Sequence, residues 1–142
     1  MTANTSPIFV RIPRNESISV ITGQTASDGT GSTELFQADT NNGSRIHAIS
    51  GVFVGTVSTQ SVLRLFLESS GTYRIITEIV LPTYTQSAGV ASPVISVLDY
   101  AYSEFLDPAD RYLTLDEGDA LYAAVYTTIE SALHLTAWGG DY

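Results

Sequence analysis

The chain has 142 residues, enough for one domain, and a chain of this length buries about 70% of the surface its unfolded form exposes, so one compact core is expected. Its 15 acidic residues against 6 basic ones give a formal net charge of −9, and the basic residues are all arginines. That balance argues against nucleic acid and against an anionic membrane surface as partners, since both are bound through clustered cations, and the absence of cysteine leaves packing to supply stability.

Residues 1–40 are rich in Ser, Thr, Asn and Gly, hold Pro7 and Pro13, and carry only brief apolar stretches such as Ile8-Phe9-Val10. They read as an extended N-terminal arm with edge strands, ahead of a body over residues 41–142. Within the arm, short strands are expected near Ile8–Ile12, Ile18–Thr22 and Glu34–Ala38.

The body is dominated by Val, Ile, Thr and Tyr, the residues of pleated and half-buried surfaces. Strands are expected over Arg45–Val57, Ser61–Glu68, Tyr73–Leu81, Val94–Leu98, Tyr112–Leu115, Leu121–Thr128 and Ala132–Trp138, with turn clusters such as Asn41-Asn42-Gly43 between them. Only Asp99–Leu106 has a helical period, and Asp107-Pro108 stops it. Eight to ten short strands with hardly any helix indicate an all-β, two-sheet antiparallel β-sandwich, jelly-roll-like, with the arm extending from it.

One hairpin has an expected register. A three-residue loop at Ser69-Ser70-Gly71 pairs Glu68 with Thr72, sets Leu67, Leu65 and Leu63 opposite Tyr73, Ile75 and Thr77, and puts Arg64 diagonal to Glu78. A two-residue loop mixes Arg74 and Glu78 with the leucines and is disfavoured.

The residue types that carry catalysis are poorly placed. A phosphate-binding loop needs a lysine, which the chain lacks; no Gly-x-Ser-x-Gly elbow occurs; and Gly29-Thr30-Gly31 continues to Glu34 where a dinucleotide fingerprint needs glycine. His47 and His134 each sit in a strand alternation and are expected on a sheet face. Asp107, Asp110, Asp116, Glu117 and Asp119 cluster around two expected turns, but without the ligand spacing of a calcium loop they read as solvated turn residues. No enzyme activity, cofactor or metal is therefore expected. The longest apolar run, Ala120–Tyr126, is also far short of the roughly 20 residues that cross a bilayer.

Of the eight tyrosines, Tyr73 is expected in the hairpin core and Tyr122 and Tyr126 on one strand face with Ala124, while Tyr84, Tyr100, Tyr102 and Tyr142 are candidates for contact.

Six segments follow one another in order: Thr2–Phe9 with its Ser6-Pro7-Ile8-Phe9 end, Asp28-Gly29-Thr30-Gly31, Asn42-Gly43-Ser44-Arg45-Ile46, Leu63-Arg64-Leu65-Phe66, Thr72-Tyr73-Arg74-Ile75, and the closing Trp138-Gly139-Gly140-Asp141-Tyr142. Together they resemble a family of small tailed-phage and prophage virion proteins, in which such segments recur in this order over almost the whole chain. Trp138 stands where that family shows Phe, and the acidic 107–119 stretch replaces a more neutral one.

The resemblance implies a structural protein of the virion, of the capsid decoration or cement type, on the outer surface of the capsid. It implies the major capsid protein as a partner and a homotrimer of the chain itself. Pro7, Ile8, Phe9, Val10, Arg11, Ile12 and Arg14 of the arm are then the expected capsid contacts, and Tyr100, Tyr102, Trp138 and Tyr142 the expected subunit contacts. The alternative is a tail-fibre or baseplate module that binds a host-surface glycan or receptor.

Overall fold

The structure, a computed structural model, describes residues 10–98 and 112–142. Among them run nine strands: β1 (Ile12–Val20), β2 (Thr33–Gln37), β3 (Ser44–Phe53), β4 (Ser61–Ser69), β5 (Thr72–Leu81), β6 (Val94–Ser96), β7 (Leu113–Leu115), β8 (Ala120–Val125) and β9 (Leu133–Asp141). The chain is all-β, as its composition indicates. The expected helix over Asp99–Leu106 lies outside the described residues.

Two antiparallel sheets pack face to face. The first has the order β1-β9-β3-β6, with β7 also on β3, and the second has the order β2-β8-β4-β5. Strands β6 and β7 share one side of β3: Ser50–Val52 pair with β6, and Ser44–Ile46 pair with β7. Counting those two as one position, this is the strand arrangement of a jelly roll.

Alternation along each strand builds the core. Leu133, Leu135 and Ala137 of β9 point inward while His134, Thr136 and Trp138 point out, and Leu63 and Leu65 of β4 meet them from the second sheet. Residues 12–37 supply one edge strand to each sheet, β1 and β2.

Of the strand expected at Ile8–Ile12, residues 8 and 9 lie outside the described residues; from Ile12 a single strand, β1, runs on through most of the one expected at Ile18–Thr22 and pairs with β9 from Ile12↔Asp141 to Val20↔Leu133. Pro13 does not interrupt it, because an edge strand tolerates a missing N–H. The last strand runs past its expected end at Trp138 to Asp141.

The hairpin departs from its expected register. Ser70 (φ 53°) and Gly71 (φ 80°) are both left-handed, so the loop has two residues, as in a type I′ turn, and Ser69 pairs with Thr72. A bulge between Leu65 and Phe66 then absorbs one residue of β5, since Phe66 faces Ile75 while Leu65 faces Thr77. The bulge reverses the facing of β5, which returns Glu78 to the outer face directly opposite Arg64 and sets Leu63 against Ile79. It thereby removes the conflict at Glu78, while Arg74 stays opposite Leu67 near the end of the hairpin, where it is exposed.

Candidate functional site

The closing segment is positioned by β3. Ser44 pairs with Asp141, Arg45 with Gly140 and Ile46 with Gly139, so the Asn-Gly-Ser-Arg-Ile and Gly-Gly-Asp-Tyr segments lie side by side. Ser44 Oγ donates to Asp141 Oδ1 and accepts the Asp39 N–H at 2.9 Å. From β1, Arg14 donates to the same carboxylate oxygen at 2.9 Å, to Glu16 Oε1 at 3.0 Å and to the Gln37 carbonyl at 3.0 Å, with its guanidinium over the Phe36 ring. Partial burial works against the Arg14 charge, but the hydrogen bonds it donates to Glu16 and Asp141 outweigh that and raise its pKa above the ordinary arginine value. Asp39 is held below the usual carboxylate range by the N–H groups of Asn41 and Asn42 that its side chain accepts.

The glycines of the closing segment are required by this crowding. A Cβ on Gly139 would run into the Arg45 carbonyl oxygen, and one on Gly140 into Val10 and the Ile12 carbonyl. Tyr142 caps the cluster: its N–H reaches the Gly43 carbonyl at 3.3 Å and its hydroxyl accepts Arg45 Nε at 3.1 Å. Arg45 also lies over the Tyr112 ring at 4.0 Å.

A second clasp joins three of the other segments on the outer face of the second sheet. The chain between β1 and β2 crosses that face, and Gln24 N–H donates to the Val125 carbonyl. Arg64 holds it there through the carbonyls of Thr25 and Ala26 (3.2 and 3.3 Å), while pairing with Glu78 at 2.8 Å and lying over Tyr126. Phe66 lies buried on this same face. Tyr73, expected in the hairpin core, instead pairs with Glu68 on the outer side, where its ring meets Gly29 and packs edge-on against Tyr122 at 5.1 Å. Desolvation, then the hydrogen bond with Glu34, raises the Tyr122 hydroxyl well above the ordinary tyrosine value.

The outer face of the first sheet differs in character. By register, β1 presents Asn15, Ser17 and Ser19; β9 presents Trp138, Thr136 and His134; β3 presents Ala48, Ser50 and Val52; and β6 presents Val94 beside Val52. Not one of these is Asp, Glu, Lys or Arg; Arg45, opposite Gly140 and engaged with Tyr112 and Tyr142, borders them at the end of the same face. Trp138 and Val52 are each 40% exposed and Val94 is 70% exposed. A shallow recess of about 300 Å³ lies on the face, lined by Ser17, Ile18, Ser19, His134 and Thr136.

No protein-family model and no curated protein matches the chain.

Of the expected capsid contacts, Pro7, Ile8 and Phe9 lie outside the described residues; Val10 is half-buried against Gly140, Arg11 is exposed just ahead of β1, and Ile12 is exposed on β1 itself, which also carries Arg14, whose side chain is engaged within the chain. Among the expected subunit contacts, Tyr100 and Tyr102 are likewise outside, Trp138 stands on the bare face and Tyr142 packs on Arg45. His134 and His47 are both exposed on the first sheet. Asp107 and Asp110 are outside the described residues, and Asp116 with Asp119 closes a turn through the Asp119 N–H and the Asp116 carbonyl at 3.1 Å. Among the described residues no three acidic or histidine side chains come together to hold a metal ion.

Residues that the sequence did not single out include Glu130, whose carboxylate accepts from the hydroxyls and N–H groups of Ser58 and Thr59. Those donors, Thr59 and Ser58 foremost, bring its pKa down to about 2.

Proposed function

We propose that this chain is a structural protein of a tailed-phage particle, which decorates the outer capsid surface and cements it by bridging neighbouring subunits of the major capsid protein, with no catalytic step. The observation that supports it is the fate of the segments on which the phage resemblance rests. Asn42–Ile46 and Gly139–Tyr142 form one clasp, and Asp28–Gly31, Leu63–Phe66 and Tyr73 form the other. These segments hold strands together, which suits a protein whose work is to bear load.

The mechanism on this reading is mechanical. Pressure from packaged DNA pulls capsid subunits apart, and a module bonded to two of them opposes the separation by the strength of both contacts. The first clasp ties β1, β9 and β3 together near both ends of the described chain, so force entering through the arm is carried into the sheet. The net charge of −9 suits the outside of the shell, because an acidic body has no attraction for DNA. Jelly rolls occur in both capsid proteins and lectins, so the fold fits this role by analogy alone.

The test is to add purified protein to particles that lack it, sediment them, and image them by cryo-EM. Density on the capsid shell is expected; density confined to the tail, or no binding, overturns the proposal. Trp138 beside Asn15 and Thr136 on an open face favours a second reading, a glycan-binding tail module, because an exposed indole flanked by amide and hydroxyl groups suits a sugar ring. Binding on a glycan array that is lost in Trp138→Ala is the outcome that reading requires.

A further inference from the structure

We infer that the bare outer face of the first sheet is the contact through which this chain packs on a second copy of itself, as a two-fold pair rather than the trimer that the resemblance implies. The inference rests on the reading of the chain as a subunit-packing module and names the surface and the first partner.

The two sheets are finished differently. The outer face of the second is covered by the chain's own segment between β1 and β2, held by Arg64. That of the first keeps Trp138, Val52 and Val94 in solvent, and among the described residues nothing crosses it. Exposed apolar side chains at two places, Trp138 and the Val52–Val94 pair with Ser50 and Thr136 between them, leave an uncharged face of the kind that a second sheet covers at about 10 Å separation.

Charge selects the occupant. A foreign partner adapted to a body of net charge −9 would carry cations, and the face that met it would offer carboxylates; this face offers none. A second copy carries the same negative charge, so the two approach with least repulsion where neither presents an acid.

Shape agrees with charge. The face holds the indole of Trp138 and a shallow recess of about 300 Å³ lined by Ser17, Ile18, Ser19, His134 and Thr136. Both lie along β9 and its neighbour β1, two rows apart. A two-fold axis in the plane of contact, across the strands, exchanges those rows and seats each Trp138 in the other copy's recess. A knob and a hole on one patch are what an isologous contact requires.

Light scattering on size-exclusion peaks tests this with the full chain. The wild type, at 15.2 kDa per chain, is expected to run at twice that mass. Ser19→Arg, which fills the recess from an exposed position, and Trp138→Ala, which removes the knob, are both expected to run as monomers with their β-sheet circular dichroism intact. Val80→Lys, on the other sheet and 62% exposed, is expected to remain paired. A wild-type monomer or trimer, or a pair that survives both face variants, overturns the inference, as does wild-type glycan binding lost in Trp138→Ala. Capsid co-sedimentation of monomeric Ser19→Arg separates the two levels: a monomer that still binds shells sinks neither proposal, whereas a paired wild type that binds no shell sinks only the capsid role.

Discussion

Asp141 shows how a single side chain can join three strands. It lies on β9, accepts from Ser44 on β3 and Arg14 on β1, and is 8% exposed. Removing it leaves a guanidinium and a hydroxyl short of an acceptor, so Asp141→Ala is expected to cost about 2–3 kcal/mol. That is less than the roughly 3–5 kcal/mol for a fully buried pair, because Arg14 keeps part of its side chain in water. Urea denaturation reads the difference, and an unchanged midpoint refutes it. No local pattern announces this cluster, since its partners stand 97 and 127 positions from Asp141. Glu130 is a separate case, with a pKa lowered to about 2 by donors from Ser58 and Thr59. Because the folded value lies below the ordinary glutamate value of 4.5, its contribution to stability is complete above the unfolded pKa and fades as pH falls towards about 2. The amide resonances of Ser58 and Thr59 are therefore expected to titrate with a midpoint near 2; a midpoint near 4.5 contradicts the bracket.

At the scale of elements, alternation made most strands legible and left their pairing open. Ser61–Ser69 and Thr72–Leu81 end within a residue of the expected Ser61–Glu68 and Tyr73–Leu81, yet their register differs from the expected one. A bulge leaves no mark in the hydrophobic pattern beyond an apparent phase error, here the adjacent Ile75 and Ile76, which a longer loop accounts for equally well. The turn also carries Ser70 at φ 53°, where a side chain other than Asn or Asp is strained. Ser70→Asn supplies the Asn-Gly pair that a type I′ turn favours and is expected to stabilise by about 0.5–1 kcal/mol, or roughly 2–4 °C in Tm. No change, or a fall, would mean that the loop is not of this type. The terminal glycines work in the opposite direction. Gly139→Ala forces its methyl against the Arg45 carbonyl, a backbone atom that cannot rotate away, so β3 and β9 must separate locally. A loss of at least about 1–3 kcal/mol is expected in thermal melts.

For the molecule as a whole, the question is how a body of net charge −9 holds together. Among the described residues three ion pairs form, all involving Arg14 or Arg64. Salt acts on two opposed terms: it weakens those pairs, and it screens the mutual repulsion of the remaining carboxylates. The pairs are short, and their arginines are partly shielded from solvent, so they are screened least. The unpaired negative charges act on one another through solvent, and any that lie further apart than the screening length of about 10 Å at 0.1 M salt lose most of their interaction to screening. Repulsion is therefore the larger loss, and the melting temperature is expected to rise between about 20 mM and about 500 mM sodium chloride. The same asymmetry acts more strongly between copies, because two such bodies repel through their entire charge while the contact proposed between them contains none of it. Pair formation should strengthen over that range, and Ser19→Arg should stay monomeric throughout it, since its defect is steric. A melting temperature that falls with salt would show that the clasps, rather than the surface charge, dominate the electrostatics of the fold.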